Sequence, residues 1–295
     1  MITVPPSFIG MPRWWRDAAG REWLDRLPEL VDEVCARWRM RVDGSPMHGS
    51  NALVVPVLRE REAFALRLTP PGDDVAAEAH ALRFWDGRGT VRLFDGDEER
   101  GAMVLERLDG SRTLGAEPIL PAIEVLAELT RMLAIPATSD IRSTKDIAAE
   151  LLIAATSTAA DTEACPVSDR ELRRVIEFAA QRAGAPIADT AVDGDLHFEQ
   201  VLAGSRMPWI VVDPVLLRGD PEYDLGRVLW SRLDELPGDD DVIRAFDRFV
   251  RVAQVPTERA RAWVVLRSFS YLTWGIENGL TEDPVRCRRL ISLFC

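Results

Sequence analysis

The stretch Asp193-Gly194-Asp195-Leu196-His197-Phe198-Glu199-Gln200-Val201-Leu202, with Trp209-Ile210-Val211-Val212-Asp213 after it, decides how this chain is read. It sets a carboxylate, Asp195, a short spacer ahead of an amide, Gln200, and ends an apolar run on a second carboxylate, Asp213. A carboxylate so placed can take the proton of an attacking hydroxyl. The amide and the second carboxylate can hold magnesium against nucleotide phosphates. The plainer alternative is an Asp-rich turn between two strands. What flanks the stretch separates the two.

Upstream, Trp23, Leu24, Leu27, Leu30, Val31, Val34 and Trp38 recur at near-helical spacing, which predicts one or two amphipathic helices between Pro12 and Met40. From Arg41 the period shortens. Leu53–Leu58 and Ala63–Leu68 flank the charged turn Arg59-Glu60-Arg61-Glu62 and read as a hairpin. A helix from Asp73 to about Trp85 carries Glu78, and strands follow at Thr90–Phe94 and Ala102–Leu108. The polar Asp109-Gly110-Ser111-Arg112 reads as a linker. Strand, strand, helix, strand, strand is the order of a kinase-type N-terminal lobe.

Beyond it helices dominate, at Pro121–Leu133, Lys145–Ala155 and after Ser168, where Glu171 completes a capping box. More are expected at Tyr223–Leu233, Val242–Val252 and Thr257–Asn278. The expected organisation is a helical segment (1–40), a small lobe of sheet plus helix (41–108), a linker (109–116) and a helical lobe (117–295). The catalytic loop 193–202 and the metal segment 210–214 interrupt that last lobe. The fold class is α+β, bilobal and protein-kinase-like.

Composition narrows the alternatives. The chain has 295 residues, 47% hydrophobic and 28% charged, as in an ordinary globular protein. Its one lysine, Lys145, is followed by Asp146, so there is no Walker A loop. A net charge of −12 argues against nucleic-acid binding. No apolar run reaches membrane-spanning length and no signal peptide is visible, so the expected location is the cytoplasm. Cys35, Cys165, Cys287 and Cys295 are far apart and remote from the three histidines, which points to reduced, mostly packed thiols and away from zinc.

Four segments in this order resemble the aminoglycoside/hydroxyurea antibiotic-resistance kinase family, the streptomycin 6-phosphotransferase-like group, from about His48 to Trp230. They are Phe64-Ala-Leu-Arg-Leu68 leading to Glu78-Ala-His-Ala-Leu-Arg-Phe-Trp-Asp-Gly-Arg-Gly89, then Gly101–Leu108, Asp193–Leu202, and Val212-Asp-Pro214 with Gly219-Asp-Pro-Glu-Tyr-Asp-Leu225. The resemblance implies a magnesium-dependent transfer of the γ-phosphoryl group of ATP to a hydroxyl of a small molecule. It implies Asp195 as catalytic base, with Gln200 and Asp213 as metal ligands. Arg67 would meet the phosphates, Glu78 would anchor it, and the backbone at Glu106 to Leu108 would read the purine edge. Asp224 would support the catalytic loop, whereas Asp220 reads equally as a helix cap. His197 reads as a loop-ordering residue.

Three positions depart from the family pattern. Arg67 stands where the family has lysine, Gln200 where it has asparagine, and Asp193 where it has histidine. Arginine is longer and planar, so the first change is not conservative. The alternative left open is a degenerate kinase-fold protein that binds nucleotide or a partner without transfer. Trp230, Trp263 and Trp274 read as core. The acidic Asp234-Glu235 and Asp239-Asp240-Asp241 suggest attraction of a cationic acceptor, such as an aminoglycoside.

Overall fold

The computed structural model describes residues 2–15, 17–160 and 166–295. Its elements begin with α1 (Pro6–Ile9), α2 (Ala18–Arg37), β1 (Arg41–Val42), β2 (Met47–His48), β3 (Leu53–Arg59) and β4 (Glu62–Leu68). Helix α3 (Val75–Trp85) and strands β5 (Leu93–Asp97), β6 (Ala102–Glu106) and β7 (Asp109–Thr113) follow. Next come α4 (Ile119–Leu133), α5 (Thr144–Ala160), α6 (Asp169–Gly184), β8 (Ala191–Asp193), β9 (Val201–Ala203), β10 (Trp209–Val211) and β11 (Leu216–Arg218). The chain closes with α7 (Leu225–Ser231), α8 (Asp239–Ala253), α9 (Thr257–Glu277) and α10 (Glu282–Phe294). Two compact units emerge. One holds the residues up to Arg112 together with Leu202–Val212; the other holds Thr113–Val201 and Asp213–Cys295.

The first unit is built on an antiparallel sheet in the order β1-β3-β4-β6-β5, with β2 also on β3. Alternation along β4 sends Phe64, Leu66 and Leu68 to one face, where they pack with Trp23, Leu24, Leu27 and Val31 of α2. Ala65 goes to the other face, against Val75, Ala79 and Leu82 of α3. Arg67 shares that parity, so the strand period itself delivers its guanidinium to the α3 side. A one-residue slip in register would send it into the α2 core instead. At the far end of β4, Gly101 sits at φ +62°, and a Cβ there would lie 2.4 Å from the Thr69 carbonyl oxygen. Only glycine tolerates that approach.

Two expectations are corrected here. The apolar run Thr90–Phe94 is not one strand. Thr90 bridges Val211, while β5 starts at Leu93 and runs on through Asp95-Gly96-Asp97, because its backbone pairs with Ala102–Leu105 across a bulge. Asp109–Arg112 is not an irregular linker but most of strand β7, in the three-stranded sheet β10-β9-β7, where Arg112 lies over the Trp209 ring. Polar, glycine-bearing sequence reads as a turn, yet an edge strand needs only backbone pairing.

The second unit is mainly helical, with β8 and β11 forming a small antiparallel ribbon. Helix α6 starts with the expected capping box, Ser168 with Glu171. Helix α9 buries Trp263, Val264, Val265 and Leu266 completely, so it is apolar nearly all round and packs against α10, α7 and α6. Helix α10 has no counterpart among the expected elements, since Pro284 stands near its start. Proline is tolerated in a first turn because those N–H groups lack intrahelical partners anyway. Of the three tryptophans read as core, Trp230 and Trp263 are buried, but Trp274 is 49% exposed. It lies at the end of α9, stacked on Tyr271, which stacks in turn on Trp230. Cys35 and Cys287 are buried free thiols and Cys295 is half-buried, while Cys165 lies outside the described residues. No helix is long and apolar enough to cross a membrane among the described residues.

Candidate active site

Ribbon β8/β11 positions the catalytic loop. Leu216 pairs with Asp193, and the Gly194 N–H donates to the Val215 carbonyl at 2.7 Å. Asp193 then ties the two strand ends together. Its Oδ1 accepts from the backbone N–H of Asp195 at 3.2 Å and of Val215 at 3.1 Å. Burial pushes the Asp193 carboxyl up to about 7, those two backbone bonds oppose the rise, and the nearby Asp195 and Asp213 add to it.

Asp195 is held on both oxygens. Gln200 Nε2 donates to Oδ2 at 3.2 Å, and Arg227 Nε lies 2.8 Å from Oδ1, close enough for an ion pair but off the angle of a hydrogen bond. Burial raises the Asp195 carboxyl above the usual range, and Arg227 and Arg267 pull it back. A carboxylate raised in this way is a stronger proton acceptor than a solvated one. His197 Nδ1 accepts from the Glu199 N–H at 3.3 Å, and its Nε2 lies 3.9 Å from Asp195. Burial and then Arg227 push the imidazole down to about 3, so it stays neutral at any working pH and orders the loop without carrying charge.

Gln200 joins the two carboxylate positions. Its Nε2 also donates to the Asp213 carbonyl at 3.2 Å, while its Oε1 is buried without a hydrogen-bond partner. Asp213 adopts φ +56°, a left-handed conformation that is uncommon outside glycine. A buried amide oxygen with no donor, near a carboxylate-bearing residue, is the chemistry a hard cation takes. Magnesium is characteristically held by one or two protein oxygens plus phosphates and waters. The donor set fits it.

Asp224 lies beneath the loop. It is buried, accepts from the Leu196 backbone N–H, and has Arg267 at 3.8 Å. Burial raises its carboxyl well above the usual range, against the pull of Arg267. Asp220 stands at the N-cap position of the short turn Pro221–Asp224, but its side chain makes no capping bond there. Its Oδ2 accepts from Trp263 Nε1 at 2.8 Å, and Arg182 and Arg259 flank it at 3.8 and 3.4 Å.

The remaining expected residues lie in the first unit. Arg67 Nη1 donates to Glu78 Oε2 at 2.5 Å and to Thr69 Oγ1 at 2.6 Å, and both members of the ion pair are buried. Within the backbone from Glu106 to Leu108, expected to read a purine edge, the Glu106 N–H donates to the Arg92 carbonyl at 2.9 Å, because strand β6 is covered there by the chain entering β5. Its carboxylate is bound by Arg206, which also donates to the Gly87 and Thr90 carbonyls. Leu108 packs on the α3-side core. Thus the structure joins Arg67 to Glu78 in one unit and Asp195, Gln200 and Asp213 in the other. The acidic run expected to draw cations is largely neutralised locally: Asp234 pairs with Arg286, Glu235 with Arg232, Asp239 with Arg289 and Asp241 with Arg244.

The profile of the aminoglycoside/hydroxyurea antibiotic resistance kinase family matches residues 37–279. The chain belongs to that family. Within it, the streptomycin 6-kinase of Streptomyces griseus is 40% identical over 270 residues, covering 89% of this chain and 87% of its own. The hydroxyurea phosphotransferase of Kitasatospora aureofaciens is 35% identical over 291 residues, covering 97% and 84%. A crystallised aminoglycoside phosphotransferase in ternary complex with AMP-PNP and hygromycin B superposes with a TM-score of 0.63. It is 15% identical and covers 89% of this chain and 97% of its own, and it supports the protein-kinase-like fold.

Arg227 was not legible beforehand. It lies three residues after the Tyr-Asp motif, in a chain so rich in arginine that one more carries no signal. Arg227→Gln is expected to lower kcat about tenfold and to move the acid limb of its pH profile upward. With that cation gone, only Arg267 opposes the effect of burial, so the Asp195 carboxyl rises further. A pH–rate profile of the variant checks this, and an unmoved acid limb would dismiss the pairing as incidental.

Proposed function

We propose that this chain is an ATP-dependent O-phosphotransferase for a small hydroxylated molecule of the streptomycin kind, magnesium-dependent and acting in the cytoplasm. The observation that carries the reading is the doubly held Asp195, with the unpartnered Gln200 amide oxygen beside it.

Asp195 accepts the proton of the acceptor hydroxyl as its oxygen attacks the γ-phosphorus, and the bond from that phosphorus to the β,γ-bridging oxygen breaks to release ADP. Gln200 fixes the carboxylate's rotation through Oδ2, and Arg227 balances its charge through Oδ1. Asp193 and Asp224 hold the loop backbone by accepting N–H groups from Asp195 and Leu196. In the other unit, Arg67 supplies positive charge for the α- and β-phosphates, and Glu78 and Thr69 fix the direction of its guanidinium. A magnesium ion held by Asp213 and the Gln200 amide would neutralise phosphate charge. Arginine at position 67 donates from the one nitrogen Nη1 to both Glu78 and Thr69, as a lysine ammonium could. Gln200 keeps the amide oxygen that asparagine would offer.

ATP turnover measured over streptomycin, hydroxyurea, hygromycin B and a neutral sugar, with and without EDTA, tests the proposal. Transfer to at least one hydroxylated acceptor is expected, abolished by the chelator and restored by magnesium. ATP binding with no transfer to any member of the panel would favour a nucleotide-binding protein without transferase activity.

A further inference from the structure

Arg227 reaches Asp195 without a directional bond. Its Nε lies 2.8 Å from Asp195 Oδ1, yet that nitrogen makes no hydrogen bond. The attraction is therefore Coulombic, and such an attraction fixes a separation far better than an orientation. A side chain as rich in rotamers as arginine needs something else to aim it. We infer that Tyr271 does so: its hydroxyl holds the Arg227 guanidinium against Asp195, which makes Tyr271 a positioning residue for the catalytic loop. This role rests on the function proposed above, in which Asp195 is the base.

The helices bring the groups together. A Cβ at Gly226 would lie 2.8 Å from Arg267 Cβ and 3.3 Å from the Val264 carbonyl oxygen, so α7 meets α9 closely just before Arg227. That contact sets the Arg227 backbone and leaves its long side chain to be directed. Helix α10 packs on both α7 and α9 and carries Asp283 in its first turn. All of these groups belong to the second unit.

The Tyr271 phenol bonds to both Arg227 and Asp283. The direction of the two bonds is forced. A guanidinium can only donate and a carboxylate can only accept, so the hydroxyl accepts from Arg227 and donates to Asp283. A hydroxyl that donates to an ion becomes a stronger acceptor in turn. Burial, then the Asp283 charge, raise the Tyr271 hydroxyl above its ordinary value against the pull of Arg227, so it keeps the proton that this arrangement needs. Asp283 is itself held, since Arg286 Nη1 donates to its Oδ1 at 2.9 Å.

The ring is fixed independently of its hydroxyl. It stacks on the buried Trp230 with centroids 4.8 Å apart and planes at 14°, and on Trp274 at 5.3 Å and 29°. Two stacked indoles leave the phenol little freedom to swing. The exposed Trp274 thereby has a task, as the second plate that steadies the oxygen Arg227 bonds to.

Tyr271→Phe keeps the ring and its stacking and deletes the oxygen alone. With ATP and the fastest acceptor among streptomycin, hydroxyurea and hygromycin B, it is expected to lower kcat by about two- to tenfold, the range one hydrogen bond covers, with KM for ATP within about twofold of the parent. The same substitution in an Arg227→Gln background should lower kcat no further, because the group it positions is gone. Unfolding midpoints confirm that each variant folds. Crystal structures of the parent and of Tyr271→Phe give a readout independent of turnover: in the variant the guanidinium should be withdrawn from Asp195 or spread over several conformers. An unchanged kcat, an equal loss in the Arg227→Gln background, or a guanidinium that stays in place would overturn the inference. If the parent transfers to none of the three acceptors, the proposed function fails, and the crystal structures alone decide whether Tyr271 aims Arg227.

Discussion

Asp195→Asn is expected to lower kcat by about 100- to 10,000-fold, the range that a positioned general base contributes, while the dissociation constant of ATP stays within about twofold. Asparagine keeps the shape of the side chain and can still accept from Gln200 Nε2, so the loop has no reason to collapse. It cannot take a proton, and it leaves the Arg227 charge without its counterion. The loss should therefore fall on the chemical step. Single-turnover kinetics with an acceptor separate that step from binding. Transfer at the parental rate would remove Asp195 from the mechanism, and a matching loss of ATP affinity would mean that the substitution had disturbed the fold.

Arg67→Met should give the largest loss of stability. It strands the Glu78 carboxylate in a site that is 9% exposed. Breaking one half of a buried ion pair costs about 3–5 kcal/mol, because the remaining charge stays desolvated and uncompensated. The control is the double variant Arg67→Met with Glu78→Leu, which removes both charges and should recover most of the loss. Urea midpoints of the parent, both single variants and the double variant close the cycle. Equal destabilisation in Arg67→Met and the double variant would show that the pair's charges are not the source of the cost. ATP affinity should fall in both variants whatever happens to stability, since neither retains the cation proposed to meet the phosphates.

These residues were readable in advance because their placement follows from period. The β4 alternation that buries Leu66 and Leu68 leaves no freedom for Arg67, and the N-cap at Asp74 fixes the α3 turn on which Glu78 falls. The loop from Asp193 to Gln200 was readable through its spacing together with the order of strands and helices around it. What escaped was set by tertiary context. Arg227 and Arg206 look like any surface arginine until the groups they reach, Asp195 in one case and three backbone and side-chain acceptors in the other, are in space. Glu106 was assigned to a strand correctly by pattern, but pattern could not show that its N–H is bound to the Arg92 carbonyl. Trp274 follows the same helical spacing as its buried neighbours, and only the ending of α9 leaves it open. The acidic run near residue 240 reads as a field in sequence and as a set of local pairs in space.

The first unit borrows Leu202–Val212 from far down the chain. Ile210 is completely buried in the α3-side core, Val211 exchanges backbone bonds with Gly89 and Val91, and Arg206 closes over Gly87, Thr90 and Glu106. During synthesis this unit therefore cannot finish folding when its first 112 residues have left the ribosome. It must wait, with part of its core open, while the polypeptide for α4, α5 and α6 is made. The order of translation and the order of completion are inverted, and the earliest-made part of the protein is sealed by one of its later segments. A gene fragment cut at the apparent boundary would encode a unit lacking its own last strand.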